Sequence, residues 1–268
     1  MRKKKEFVAA MLAAALVFAA SLGYVLHYLH VSRVQRESFA SLGDTLAALE
    51  TEYEVPAKDP DGDNAQTGTH PRVMALRELQ REREHLVGWV MIPGTPIDYP
   101  VMQTPGAPEF YLHHAWDGQE SAHGTPFAAY NCDLSAPSDN VIVYAHRMND
   151  GSMFGSLLEY ESEVFYKEHP LVYFDTLYNT DEYEIFAVFE GHAGNTGPGS
   201  FEYYLFTDAE TPADFDAYVS SVRAAALYDT GICPEYGDKL LTLSTCTSTA
   251  GSDERFVVVA RRVEGQHL

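Results

Sequence analysis

Basic residues are scarce in this chain. Across 268 residues, 18 Lys and Arg stand against 39 Asp and Glu, a formal net charge of -21. Four of the basic residues, Arg2, Lys3, Lys4 and Lys5, sit together at the start with Glu6 as the single acid of the first thirty residues, which leaves the remainder at -24. A body of that sign repels a phosphate backbone and argues against a nucleic-acid partner. It suits a cationic or amine-bearing partner, or is a solvated acidic surface and no more. Cysteine is sparse too: Cys132, Cys233 and Cys246, with no CxxC spacing, so neither a zinc ribbon nor a thioredoxin-like motif is supported. An odd count leaves at least one thiol free, while Cys132 and Cys233 either pair with each other or pack as small buried hydrophobes. There is no internal repeat and no Gly-rich phosphate loop, and nothing in the sequence asks for a metal, nucleotide or other cofactor. Asp59-Pro60-Asp61-Gly62-Asp63 has the look of a calcium loop, but its sixth position is Asn64 rather than Gly and its twelfth is His70 rather than Glu.

Long apolar runs are limited to one. It reaches from Phe7 to about Leu29 without a charge, and roughly 20 residues suffice to cross a bilayer core. The basic cluster before it predicts the N-terminus inside and the rest of the chain outside. A cleaved signal peptide is the competing reading. The run continues through Tyr24, Val25 and Leu26, which favours a retained anchor; either way the body is exported. The expected layout is an anchor with a short basic tail over 1–30, a helix and flexible linker over 31–71, and a catalytic domain over 72–268. Val34, Phe39, Leu42, Leu46 and Leu49 have helical spacing, Pro- and Gly-rich text breaks the chain before Arg72, and a second helix is expected from Arg72 to Leu86.

From Val87 onward the text is rich in short strands. They are expected at 87–92 and 97–102 around a Pro93-Gly94 turn, then at 125–130, 140–145, 171–174, 182–190 and 201–206. Helical pieces are expected at 152–161 and 163–169, a flexible loop at 191–200, and a helix opened by Thr211-Pro212 and running to about Leu227. Leu241-Thr242-Leu243-Ser244-Thr245-Cys246 reads as a buried strand that delivers a cysteine at its end. A small polar loop follows, and then a strand that Arg255 opens. Many short strands with turns between them predict a mainly β fold, a closed or nearly closed barrel decorated by helices.

Three strand ends are expected to meet at one mouth. Cys246 is the candidate nucleophile. His146, closing the strand Val141-Ile142-Val143-Tyr144-Ala145, is the candidate base or imidazolium and then the acid that protonates the leaving amine. Arg255 returns alongside nine residues after the cysteine, with a fork of donors suited to a tetrahedral oxyanion. Each residue alone has a plainer use, in packing, capping or solvation, and Arg147, Arg261 and Arg262 are rival cations.

The text around the three residues resembles the sortases. Leu241 to Cys246 is similar to their TLxTC signature, and Arg255 with Val257-Val258-Val259-Ala260 to their active-site arginine strand. Within the family the likeness is to class B. It rests on the hairpin Val87 to Val101, on Tyr111-Leu112-His113-His114 with Asp117-Gly118, on Gly151-Ser152-Met153-Phe154-Gly155, and on the helix before the cysteine strand. Ala145 departs from it, since the family commonly has Gly before the histidine; the methyl is expected to tighten the site without removing a reacting group. The resemblance implies a sortase-like barrel on the outer face of a Gram-positive cell, with His146, Cys246 and Arg255 as catalytic residues. It also implies that Leu112, Ser244 and Thr245 border the substrate groove, although Ser244 and Thr245 are equally readable as core-facing strand residues. The implied reaction is transpeptidation: cleavage of a C-terminal sorting motif in a secreted protein and transfer of the acyl group to an amine of a cell-wall peptide precursor or a pilin lysine. A cysteine endopeptidase that hydrolyses its acyl-enzyme and a non-catalytic membrane-tethered barrel are the alternatives.

Overall fold

The computed structural model describes residues 2–53, 69–194, 201–246 and 253–263. The calcium-like stretch, most of the 191–200 loop and the loop after Cys246 lie outside them. Contacts divide the chain into two units, Met1–Leu42 and Gly43–Leu268.

The first unit belongs to one helix, α1, which spans Arg2–Tyr53 in total. Its most apolar eighteen-residue window has a mean hydropathy of 2.2, so by length and composition it can cross a membrane. Phe7, Leu16, Phe18 and Val25 are all exposed along it.

The second unit is a closed barrel of eight strands in the order β1-β2-β3-β4-β7-β8-β6-β5, with β5 returning to β1. The strands are β1 (Leu86–Met91), β2 (Asp98–Met102), β3 (Phe127–Ala128), β4 (Asn140–Tyr144), β5 (Leu171–Thr176), β6 (Thr180–His192), β7 (Leu240–Cys246) and β8 (Glu254–Arg262). Between them lie α2 (Pro71–Glu82), α3 (Glu163–Glu168) and α4 (Pro212–Ala225). Closure removes the exposed strand edges that an open sheet must otherwise protect. Arg72, near the start of α2, ties the last turns of α1 to the barrel, with Glu50 at 3.2 Å and Asp175 at 2.9 Å.

Local chemistry sets where the helices begin and end. Thr211 caps α4 in a reciprocal arrangement with Asp214, and Pro212 occupies the first turn, where its missing N–H costs nothing. Phe215, Tyr218, Val219 and Val222 then recur at three- and four-residue intervals, and all four are buried against Ala187, Phe189, Val257 and Val259 of the sheet. The helix expected from Arg72 to Leu86 stops earlier, at Glu82. Arg83 turns its N–H back to the Gln80 carbonyl, and Leu86 instead pairs with Met102 in β1. Barrel pairing therefore takes the last residues of that apolar face.

The strand expected at 201–206 is not formed. A 3-10 turn, Tyr203–Leu205, replaces it. Closure gives the reason: β6 and β7 each have partners on both sides, so no edge is available. The aromatic residues that suggested a strand pack on α4 instead, with Phe206 stacked on Tyr218 at 4.0 Å. Cys132 and Cys233 do not pair. Cys132 packs as a small hydrophobe, 5% exposed, whereas Cys233 is at the surface and so departs from the buried reading.

β7 is covered on both faces. Leu240 lies in the cluster under α4, and by alternation Thr242 and Ser244 share its face. Leu241 and Leu243 point the other way, into the barrel, and both are buried. The alternation of large apolar and small polar residues thus separates a barrel core from a thinner layer that ends at the cysteine.

Candidate active site

Register brings the three strand ends together. In the antiparallel β7–β8 pair, Cys246 is the direct partner of Arg255. In the parallel β4–β7 pair, Tyr144 is the partner of Ser244, so two residues further along each strand His146 and Cys246 arrive at the same level. The ladder continues past Tyr144: the Ala145 N–H donates to the Ser244 carbonyl at 3.3 Å, and the Thr245 hydroxyl donates to the Ala145 carbonyl at 2.9 Å. One rung therefore carries His146, Cys246 and Arg255 on three neighbouring strands. Arg255 is half-buried and donates to the Glu254 carbonyl at 3.0 Å.

His146 is half-buried, with Nε2 2.7 Å from the Leu112 carbonyl. A carbonyl only accepts, so Nε2 carries the hydrogen. Nδ1 is then the atom at which a proton arrives and leaves. Burial pulls the imidazole below its ordinary value, the Leu112 bond opposes that, and His113 adds to the depression.

Ser244 and Thr245 are 1% and 2% exposed. The Ser244 hydroxyl meets the Tyr203 phenol at 2.8 Å, and the Thr245 hydroxyl is held by Ala145. Leu112 meets the histidine through its backbone.

Cys132 is poorly suited to attack. Burial pushes the Cys132 thiol up to about 11, which keeps it protonated and weakly nucleophilic. Its sulfur donates to the Asn140 carbonyl at 3.5 Å, at the start of β4, the opposite end from His146. Cys233 faces Arg223 at 3.3 Å on the outer side of α4. Among the described residues no cluster of His, Cys, Asp and Glu is arranged to hold a metal.

Sequence reasoning gave no role to two neighbours of His146. His113 lies beside it, with ring centroids 6.1 Å apart. Gly124, at φ +61°, packs where a Cβ would sit 2.6 Å from the Tyr111 oxygen and 2.7 Å from the Leu112 oxygen. The Tyr111-to-His114 segment was a visible landmark, but its contact with the histidine depends on folding across more than thirty residues.

Comparison with known proteins identifies the family. A family model described as the sortase domain matches residues 90–263. Sortase B of Listeria monocytogenes is 32% identical over 184 residues, covering 69% of this chain and 72% of that protein. Its solved structure superposes with a TM-score of 0.60 at 32% identity, covering 69% of this chain and 99% of that one. The sortase B–substrate complex of Staphylococcus aureus has a TM-score of 0.73 at 22% identity, covering 88% of this chain and 100% of that one, and is a likeness of fold.

Proposed function

Because this chain belongs to the sortase family, and within it to the sortase B cysteine transpeptidases that anchor surface proteins, we propose that Cys246, His146 and Arg255 are its reacting residues. The Cys246 thiolate attacks the carbonyl after the threonine of a C-terminal sorting motif. A C–S bond forms, and the carbonyl electrons move onto oxygen. Arg255 holds that oxyanion with a fixed charge and a fork of donors. As the intermediate collapses the C–N bond breaks, and Nδ1 of His146 gives its proton to the departing amine. The thioester is then opened by an acceptor amine, whose proton returns to Nδ1. Leu112 borders the groove that receives the peptide. Ser244 supports its floor from beneath, its hydroxyl fixed by Tyr203, and Thr245 ties β7 to β4 through the Ala145 carbonyl.

The apolar part of α1, with Arg2 to Lys5 before it, anchors the enzyme with its N-terminus inside and the barrel outside. Exported substrates and a membrane-linked acceptor then share one surface, which raises their effective concentration. The acceptor is an amine of a cell-wall peptide precursor or a pilin lysine. An acidic body favours the approach of such a cation.

The observation that carries this reading is the shared rung, Cys246 against Arg255 with β4 running parallel on the other side. The test incubates the full chain, in detergent, with sorting-motif peptides and with or without an amine nucleophile. The expected result is a joined peptide–amine product, lost in Cys246→Ala. Joining that persists in Cys246→Ala would overturn the nucleophile assignment. Hydrolysis alone, unchanged by added amine, would identify an endopeptidase.

A further inference from the structure

His113 sits on an arm that is fixed from several directions. Thr125 donates its N–H to the Tyr111 carbonyl at 2.9 Å, Ser121 to the His113 carbonyl at 2.9 Å, and Ala115 to the Gln119 carbonyl at 2.8 Å. His114 pairs with Glu120 in an isolated bridge. Gly124 presses on the Leu112 peptide at a distance no side chain would allow. The same arm therefore does two things to His146: the Leu112 carbonyl fixes its ring, and the next residue places a second imidazole 6.1 Å from it at a 43° tilt. The His113 ring is exposed.

The charged and titratable groups at this end of the sheet come from every side. Among the described residues they include Tyr144 on β4, Arg147 and Asp150 just after it, Cys246 on β7, Glu254 and Arg255 on β8, His192 opposite Glu254 on β6, and His113 and His114 on the arm. His114 is turned away, stacked on Phe110 at 3.8 Å with Nδ1 2.7 Å from the Phe110 carbonyl. Asp150 is taken up by Ser152, whose hydroxyl lies 2.6 Å from its carboxylate. Among the described side chains, the charged neighbour that bears on His146 is His113.

We propose that His113 is a positioning residue that acts through His146: a second, solvent-facing imidazole whose charge sets how tightly His146 holds the proton it must deliver. The inference rests on the reading of His146 as the proton carrier. A less basic imidazolium releases its proton more readily to the leaving amine but is less populated at rest, so His113 sets a compromise between the two. At about 6 Å in a water-like medium, one like charge moves the partner by about half a pH unit.

Two exposed-site variants test this with opposite signs. His113→Asn removes the charge, and His113→Lys keeps it at every pH. The full chain, labelled with 15N-histidine in detergent and assigned with His146→Gln, is titrated by NMR. In parallel, the pH profile of kcat/KM is measured with a sorting peptide and an amine. The expected outcome is that His146 titrates about half a pH unit higher in His113→Asn and lower in His113→Lys, with the acid limb of the profile moving in step. Shifts in the same direction, or none, overturn the inference. A His146 titration that moves as expected while the profile stays still leaves the electrostatic coupling intact and overturns the reading of His146 as the proton carrier.

Discussion

The two ends of the β4–β7 pair make opposite use of polar residues. At the starting end Asn140 is fully buried, and its side chain is engaged on both sides. Its amide donates to the Phe206 carbonyl at 2.9 Å and to the Tyr218 hydroxyl at 3.2 Å, while its oxygen accepts from the Thr242 hydroxyl at 2.8 Å. One side chain thereby joins β4, β7, the 3-10 turn and α4. At the finishing end the His146 ring bonds the Leu112 carbonyl and has a depressed proton affinity. A satisfied buried network fixes register, and a one-residue slip would turn every side chain of a strand to the other face. The sealed end therefore makes the open end possible: Asn140 and Thr242 lock the pairing that, six and four residues on, places His146 and Cys246 on one rung.

Substitutions can break that division of labour, beginning with the largest expected effect. His146→Gln removes the proton carrier and is expected to lower kcat/KM by about 10³-fold, with an unchanged melting temperature. A matching loss of stability would show that the open end also holds the fold. Arg255→Lys keeps the charge but loses the fork, and a fall of about 10²-fold in kcat is expected; unchanged kinetics would remove Arg255 from the oxyanion role.

The sealed end should respond in stability. Asn140→Ala removes the amide that the Phe206 carbonyl and the Thr242 and Tyr218 hydroxyls share in the interior, for a loss of about 2–3 kcal/mol in urea unfolding. Activity per folded molecule is expected to stay within a few-fold. Gly124→Ala lies between the two cases. A non-glycine residue at positive φ costs about 1–2 kcal/mol, and the Leu112 carbonyl must move, so kcat is expected to drop about tenfold along with a modest fall in melting temperature.

The smallest effect is in pH. The His146 imidazole titrates below its ordinary value of 6.5, so the acid limb of the kcat/KM profile is expected below 6.5 as well. The unfolded chain takes up this proton more readily than the folded one. Stability is therefore lost as pH falls from the unfolded value through the folded one. A shallower acid slope of melting temperature in His146→Gln would confirm the sign.

Much of the barrel was legible because its strands are short, apolar and separated by turn residues, and the capping box of α4 is written in Thr211-Pro212-Ala213-Asp214. The aromatic stretch at 201–206 misled because strand propensity says nothing about whether an edge remains to pair with. The helix after Arg72 ran long because its apolar spacing continues to Leu86, whose pairing with Met102 is a tertiary fact. Cys246, His146 and Arg255 could be nominated from strand ends and from the motif around them. His113 and Gly124 could not be given a role, because the contacts of their arm with His146 span more than thirty residues of chain.

By itself the sequence determined which chemistry was available: a thiol, an imidazole and a guanidinium, each at a strand end, in an acidic body behind one apolar helix. Those are properties of residue type and local period. The tertiary structure decided that the three strands are neighbours in the order β4-β7-β8, that Nε2 of His146 is held by the Leu112 carbonyl, and that a second histidine stands beside the first. Closing a barrel brings together residues separated by a hundred positions, and only the closed register says which of them face each other.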